Sequence, residues 1–511
     1  MLSAGSFIAT RLENLHRWRW QLGCLALVLL VAGGRLAVIA HYGSDLPYMD
    51  QWAAETNAFL IPAGEKEFNP LYFFLPTNEH RVFFTHLVNG TLALVSGQWD
   101  ARQQTVVNAF LYGALLAWLW RELARSLPSW GTGLLFCVVV MAGGLPIVFE
   151  NIVWGFQSQF FFLAGFSLLC LHRLLGEPPG TSAWHVGWLA GICALVSMGS
   201  GLLAPFIVLV FTAARVALDG RHSLKQHRLT LAVAALLLAI GWLLRTPAVD
   251  GTPLLRSLPE RFTLYALAGL SWPATDLIWL AALFHLPGLW LLWRWFHHAK
   301  ERDAAATFVL AGIVWMLLQT FAIALARSSA PLWPPPNRYG DLYLYGLLFN
   351  AAAALLLVSR TPGQPSRPYA LSLLAAVVLI FGLCAMRASW ASWSDRLPGM
   401  RTNFRLYERT VAHYLATRRT EILAPNTFPY PSREVMIFML SQKGVRTRLP
   451  ASVLTEDRAT ALGHLLGQSE RRMSLASEAA LLICRAWPIF LLGGLVAAGL
   501  WLRARPRENS V

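Results

Sequence analysis

Apolar residues run through this chain in long blocks rather than in short alternations. Twelve mostly apolar stretches fall near residues 22–40, 104–120, 131–149, 155–171, 186–200, 202–218, 229–244, 276–293, 304–326, 341–358, 369–386 and 481–502. A helix needs about 20 apolar residues to cross the hydrocarbon core of a bilayer, and these blocks approach or reach that length. A membrane β-barrel would show strand-length segments of alternating character instead. The pattern therefore predicts an all-α polytopic membrane protein with about twelve transmembrane helices.

Two polar stretches interrupt the pattern. The first, 42–103, follows the first span. Within it Pro70 to Phe74 and Val82 to Val95 have helical apolar spacing and are expected to lie on the membrane surface as amphipathic helices. Asn89-Gly90-Thr91 matches a glycosylation acceptor but carries no meaning in a bacterial chain. The second stretch, 388–479, has sparse helix-spaced apolar positions at Phe404 to Leu415 and Val435 to Leu440. It is expected to form a small helical outer domain before the last span. The chain thus divides into a bundle over 1–387, an outer domain over 388–479, and a last helix and tail over 480–511. No repeat of fixed period is present.

Composition agrees with this pattern. Of 511 residues, 56% are hydrophobic and 14% charged, and the mean hydropathy is +0.48. The net charge of +15 could suggest a nucleic-acid partner. Its distribution argues otherwise: Arg11, Arg17, Arg19, Arg121, Arg125, Arg173, Arg294, Arg360, Arg503, Arg505 and Arg507 fall in alternate connections. That is the bias of cytoplasmic loops, and it places both termini inside and the two polar stretches outside. Lysine is scarce beside arginine, which suggests a GC-rich bacterium and hence an inner membrane with a periplasmic outer face. The first block is too long for a cleaved signal and reads as a retained helix. All six cysteines lie in the apolar blocks and read as small membrane hydrophobes.

Candidate chemistry collects at the outer ends of the spans. Asp50, in Tyr48-Met49-Asp50-Gln51-Trp52, follows the first span. A carboxylate there can act as a general base or merely solvate the span end. Glu79-His80-Arg81 can orient a sugar or bind a phosphate, or form a charged surface patch. Glu150 sits in a very short outer turn near Asn151, Gln157 and Gln159, where an acid is costly without a task or a partner. Arg338-Tyr339-Gly340-Asp341 closes a Pro-rich outer segment, where the arginine can hold a lipid-linked phosphate or anchor the interface. Arg35, inside the first span, reads first as a side chain snorkelling to the outer interface, with a phosphate partner as the alternative. Gly199-Ser200-Gly201 reads as a tight turn or close helix crossing. One histidine beside an acid is too little for a metal site.

This layout resembles the GT-C glycosyltransferases, polytopic enzymes that use polyprenyl-phosphate-linked sugars. The resemblance matches Asp50 to an acid in the first outer loop, Glu150 to one in the second, and Arg338-Tyr339 to a late Arg-Tyr pair. Many members carry a second acid beside the first; here Gln51 and Trp52 follow Asp50, so no metal or other cofactor is predicted. Gly340-Asp341 also replaces the usual apolar-Pro continuation. The resemblance implies inverting transfer of a hexosyl or pentosyl group from a polyprenyl-phosphate carrier to an envelope glycan or lipid acceptor. Asp50 would be the base. Arg338, helped by Arg81, would stabilise the leaving phosphate. Glu150, Glu79, His80 and Tyr339 would position substrates. A polymerase or ligase of lipid-linked polysaccharide, and a transporter or flippase, are the alternatives. The acids cluster at the outer ends rather than at mid-membrane, which disfavours transport.

Overall fold

The computed structural model describes residues 18–246, 259–328, 333–453 and 473–504. Arg11, Arg17, Asp250, Pro331, Arg505 and Arg507 lie outside the described residues, as does 454–472 of the expected outer domain.

Helices dominate the described residues. The longer ones are α1 (Arg19–Tyr42), α2 (Phe83–Ser96), α3 (Ala101–Ala124), α4 (Ser129–Gly144), α5 (Ser158–Gly176), α6 (Ser182–Leu195), α7 (Leu203–Asp219), α8 (Arg221–Leu243), α9 (Pro259–Leu270), α10 (Leu280–His297), α11 (Ala304–Arg327), α12 (Gly340–Ser359), α13 (Arg367–Ala391), α14 (Leu397–Thr417), α15 (Arg433–Ser441), α16 (Leu475–Arg485) and α17 (Trp487–Arg503). Among the described residues the only strand pair joins Pro76–Thr77 to His80–Arg81.

The chain is a helical polytopic membrane protein. Every expected span is occupied by a helix. Among the described residues eight helical runs are long and apolar enough to cross a bilayer, or nine when α16 and α17, bent by 55° at Ala486, count as one. The other three expected spans fall on α3, α6 and α10. Helix α6 has only 14 residues, and α3 carries a polar outer half with Gln103, Gln104 and Asn108 buried.

Helix α12 is the pillar of the bundle. Every residue from Gly340 to Val358 is buried, as expected of a helix that is apolar on all sides. Helix α1 packs against α3, α17 and α4. At its crossing with α4, a side chain on Gly34 would strike the carbonyl of Gly144, so two glycines let these backbones meet.

Arg35 does not snorkel. It is 2% exposed and pairs with Asp341 of α12, which is 1% exposed, at 3.3 Å. Asp341 also accepts hydrogen bonds from the Tyr112 hydroxyl (2.9 Å) and the Asn151 amide (2.8 Å). The Arg35 guanidinium donates to the Gly143 carbonyl and lies 3.6 Å from the centre of the Tyr112 ring. Once the helices pack, the interior offers a carboxylate nearer than the interface does, and pairing removes the cost of burying either charge alone. Asp341 also gains from the positive N-terminal end of its helix.

The expected boundary at 388 falls within a continuous helical run. Helix α13 passes through a wide turn, Ser392–Arg396, directly into α14. Residues of 397–453 share one apolar core with the first polar stretch. Trp52, Phe59, Leu60 and Trp99 pack there with Val411, Leu415, Met436, Leu440 and Val445. The end of the bundle bearing this unit is called the outer end below. The opposite end carries other ionic ties: Glu122 with Arg125, and Glu301 with Arg294 and Arg360.

Candidate active site at the outer end of the bundle

Asp50 sits on a pinned turn. Met49 adopts φ +50°, and its N–H donates to the carbonyl of Pro429 at 2.7 Å. The Trp52 indole donates to Pro47 at 2.7 Å and stacks edge-on against Trp99. These contacts leave Asp50 exposed at the start of the short helix Gln51–Glu55.

Glu150 lies in the five-residue helix Phe149–Val153. One of its oxygens accepts the backbone N–H of Arg338 at 3.2 Å and lies 3.9 Å from the Arg338 guanidinium. Its own N–H donates to the Asn337 side chain, which donates in turn to Ile147. Asn151 donates to both the Arg338 carbonyl and Asp341. The second outer turn and the Arg338-Tyr339 segment are therefore stitched together through polar side chains. Arg338 also lies over the rings of Trp154 and Tyr339.

Two residues before Asp50 stands Tyr48. Its ring meets Trp154, Phe404 and Tyr407 at 5.3, 5.5 and 6.2 Å. Burial pushes its phenol up to about 12, helped by the charges of Glu150 and Asp50 and opposed by that of Arg338. Trp154 joins the two parts of the site: Tyr48 packs edge-on against it, and the Arg338 guanidinium lies over its ring.

On the other face of Tyr339, Arg327 ends α11. Its Nε donates to the Tyr339 hydroxyl at 3.0 Å, and the charges of Glu79 and Asp50 both act on it. Among the described residues its terminal nitrogens have no protein partner. An arginine at the outer end of a span runs against the usual charge bias, and that irregularity was the sequence signal available for it.

A cavity of about 580 Å³ opens beside Glu150. Asn337, Trp272, Trp333, Arg387 and Arg396 line it. Arg396 has no ion pair among the described residues; it lies 5.9 Å from the centre of the Phe149 ring. Arg387 is held by Asp276 through two hydrogen bonds. The exposed rings of Trp279, Trp333 and Trp390 mark this flank as a membrane interface. Asp50 does not line the cavity.

The first-loop trio is divided. Glu79 is exposed. His80 tucks against Gly199, where an added methyl would lie 3.0 Å from its Nδ1. Burial lowers its pKa, opposed by Glu79 and reinforced by Arg327. Gly199–Leu202 is the short turn between α6 and α7. Arg81 donates to the carbonyls of Phe74 (2.8 Å) and Leu244 (3.3 Å), so its guanidinium ties the loop to the end of α8.

One carboxylate passed over in the sequence lies under all of this. Glu55 is 0% exposed. It accepts hydrogen bonds from the Trp99 indole and from the amides of Asn89 (2.7 Å), Gln104 (3.1 Å) and Gln51 (3.3 Å). Asn89 and Asn108 also donate to the carbonyl of Gly155. Glu55 thereby joins the Asp50 helix, α2 and α3 to the turn that follows Trp154. Burial raises its pKa to about 7, against the pull of those four donors.

Among the described residues no three His, Cys, Asp or Glu side chains come together in a way that could hold a metal ion. No protein-family model matches the chain, and no curated protein does. Among solved structures the chain matches the archaeal oligosaccharyltransferase AglB from Archaeoglobus fulgidus, in complex with an inhibitory peptide and a dolichol-phosphate. That match has 11% identity and a TM-score of 0.44, over 87% of this chain and 68% of the other.

Proposed function

We propose that this protein is a membrane glycosyltransferase of GT-C type. It moves a sugar, hexosyl or pentosyl, from a polyprenyl-phosphate carrier to an envelope acceptor at the periplasmic face of a bacterial inner membrane, with inversion. The observation that carries the reading is the junction at Tyr48. There an exposed acid, Asp50, and a stitched acid–arginine pair, Glu150–Arg338, flank one aromatic side chain. A cavity with unpaired cationic character and a tryptophan-marked membrane flank adjoins that pair.

In this reading the carrier's phosphate enters the cavity from the membrane side and meets Arg338 and Arg396. Arg396 takes the assisting role first expected of Arg81, whose guanidinium is engaged by two carbonyls. Glu150 and Asn337 hold the sugar by its hydroxyls. The acceptor oxygen attacks the anomeric carbon from the opposite side. A new C–O bond forms, the bond to the phosphate oxygen breaks, and the acceptor proton passes to Asp50. The phosphate departs with the negative charge, which the two guanidinium groups stabilise where it develops. Glu79 and Arg327 orient the acceptor beside Asp50. No metal takes part in this scheme.

The polymerase or ligase alternative leaned on His80 and Arg81, and both are engaged in packing the loop. A transporter would draw on the buried Arg35–Asp341 pair, but Tyr112 and Asn151 close around it.

The test is complementation of a deletion strain at matched expression with wild type, Asp50→Asn and Glu150→Gln, with lipid-linked sugars and envelope glycans analysed by mass spectrometry. Loss of a general base lowers the rate by about 10²–10⁴-fold. The expected result for Asp50→Asn is accumulation of one polyprenyl-phosphate sugar and its loss from the glycan. Wild-type behaviour of Asp50→Asn would overturn the reading.

A further inference from the structure

Residues 397–453 bring Tyr430 to the Asp50 turn and Tyr407 to Tyr48. The hydrogen bond from Met49 to Pro429 places Tyr430 beside the Asp50 turn, near enough for the acid's charge to act on the phenol. Tyr407 lies nearly parallel to Tyr48, with 18° between the rings. Tyr48, Tyr407 and Tyr430 are each half-buried. None of their hydroxyls makes a hydrogen bond within the described residues, and none is sealed from solvent. Arg327, also half-buried, shares the field of Asp50.

We infer that Tyr48, Tyr407 and Tyr430 form a saccharide acceptor subsite beside Asp50. This rests on the transferase reading and narrows its acceptor to a carbohydrate. The chemistry of the cluster selects that class. A pyranose presents a face of C–H groups whose partial positive charge suits the negative face of an aromatic ring, and it carries hydroxyls around its rim. Phenol hydroxyls both donate and accept, a carboxylate accepts, and a guanidinium donates. The cluster offers all three beside three rings.

Other acceptors fit less well. A lipid acceptor needs an apolar approach, and the exposed Trp279, Trp333 and Trp390 lie on the flank of the cavity beside Glu150, which Asp50 does not line. A peptide is commonly recognised by addition to a strand edge, and the strand pair described is two residues long in each strand. The three rings come from two different parts of the chain, residues 42–103 and α14 with the loop after it. The subsite therefore exists only when α14 and the loop after it pack on the first polar stretch.

Saturation-transfer NMR on the full chain in lipid nanodiscs tests this, with cellobiose, maltose and xylobiose as probes. The expected result is saturation of ring C–H protons of at least one disaccharide. In the double variant Tyr407→Ala, Tyr430→Ala, apparent affinity should fall about tenfold, the scale of two lost aromatic contacts. The double phenylalanine variant keeps the rings and should retain most of the C–H saturation. An unchanged thermal midpoint shows that the alanine variant is folded. Absence of saturation from all three probes overturns the subsite, as does equal saturation in the alanine variant. A phenylalanine variant as weak as the alanine one overturns it too.

The same nanodiscs are given farnesyl-phosphate hexose and farnesyl-phosphate pentose in turn, and release of the sugar is followed. Disaccharide binding with no turnover of either donor would sink the transferase reading and leave a saccharide-binding site standing. Turnover with no disaccharide binding would do the reverse.

Discussion

Glu55 makes stability depend on pH in a direction opposite to that of an ordinary surface carboxylate. Its carboxyl is fully buried, and burial raises the pKa from 4.5 to about 7. The folded chain therefore binds this proton more tightly than the unfolded chain does. The stability so gained is fully present below about pH 4.5 and is lost as pH rises through about 7. A rise of that size corresponds to about 3 kcal/mol. Glu55→Gln removes the titration and leaves a pH-independent offset, because an NH₂ group now faces some of the four donors. The stability difference, variant minus wild type, should move by about 3 kcal/mol in favour of glutamine between about pH 5 and pH 8. His86 acts in the opposite direction, since burial holds its pKa down to about 4. It is common to both proteins and cancels in the difference. The assay is equilibrium unfolding in mixed detergent micelles at several pH values. Infrared spectroscopy should show a protonated-carboxyl C=O band at low pH that Glu55→Gln lacks. A difference that stays flat with pH, with no such band, would refute the reasoning: the four donors would then hold Glu55 ionised throughout.

Other outcomes follow from contacts described above. Asp341→Asn or Arg35→Ala should each lower stability by about 3–5 kcal/mol by stranding a buried charge, read by detergent unfolding. The double change Arg35→Met, Asp341→Leu should recover most of that loss, and failure to recover it would mean the pair has a role beyond mutual neutralisation. A side chain on Gly444 would strike the carbonyl of Leu60, so Gly444→Val should cost about 1–3 kcal/mol and expose the outer unit to limited proteolysis first. Asp276→Ala removes an exposed pair and should change stability by no more than about 1 kcal/mol, measured by thermal unfolding; a larger loss would show that the cavity rim is structurally coupled to the bundle.

That Asp50, Glu150 and Arg338 stand near span ends was readable, because hydropathy fixes where spans end. Their joining was not: the turn at Phe149 to Asn151 and the segment Asn337 to Tyr339 lie 187 residues apart, and nothing in the hydropathy pattern pairs them. Glu55 was not. Its segment, Gln51 to Leu60, is ordinary in composition, and the donors that give it meaning come from helices and turns up to 49 residues away. Arg35 was misread for a related reason. The partner that holds it is 306 residues distant, and a single hydropathy trace weighs the membrane interface but no long-range carboxylate. Asn89 shows the same limit: a match to a surface modification motif proved to be a buried amide bonded to Glu55.

The unbroken run from α13 into α14 acts as a ruler. Arg387 and Arg396 of this rod face the cavity, and Tyr407 of the same rod stacks on Tyr48. Eleven residues separate Arg396 from Tyr407, about 16 Å at the rise of an α-helix. In the proposed reaction, the distance between the group that would hold the phosphate and the ring that would hold the acceptor is set by one piece of secondary structure, not by the closure of two lobes. One residue inserted between them would swing Tyr407 by about 100° about the rod, whereas an insertion of about a full turn would restore its bearing and only lengthen the gauge.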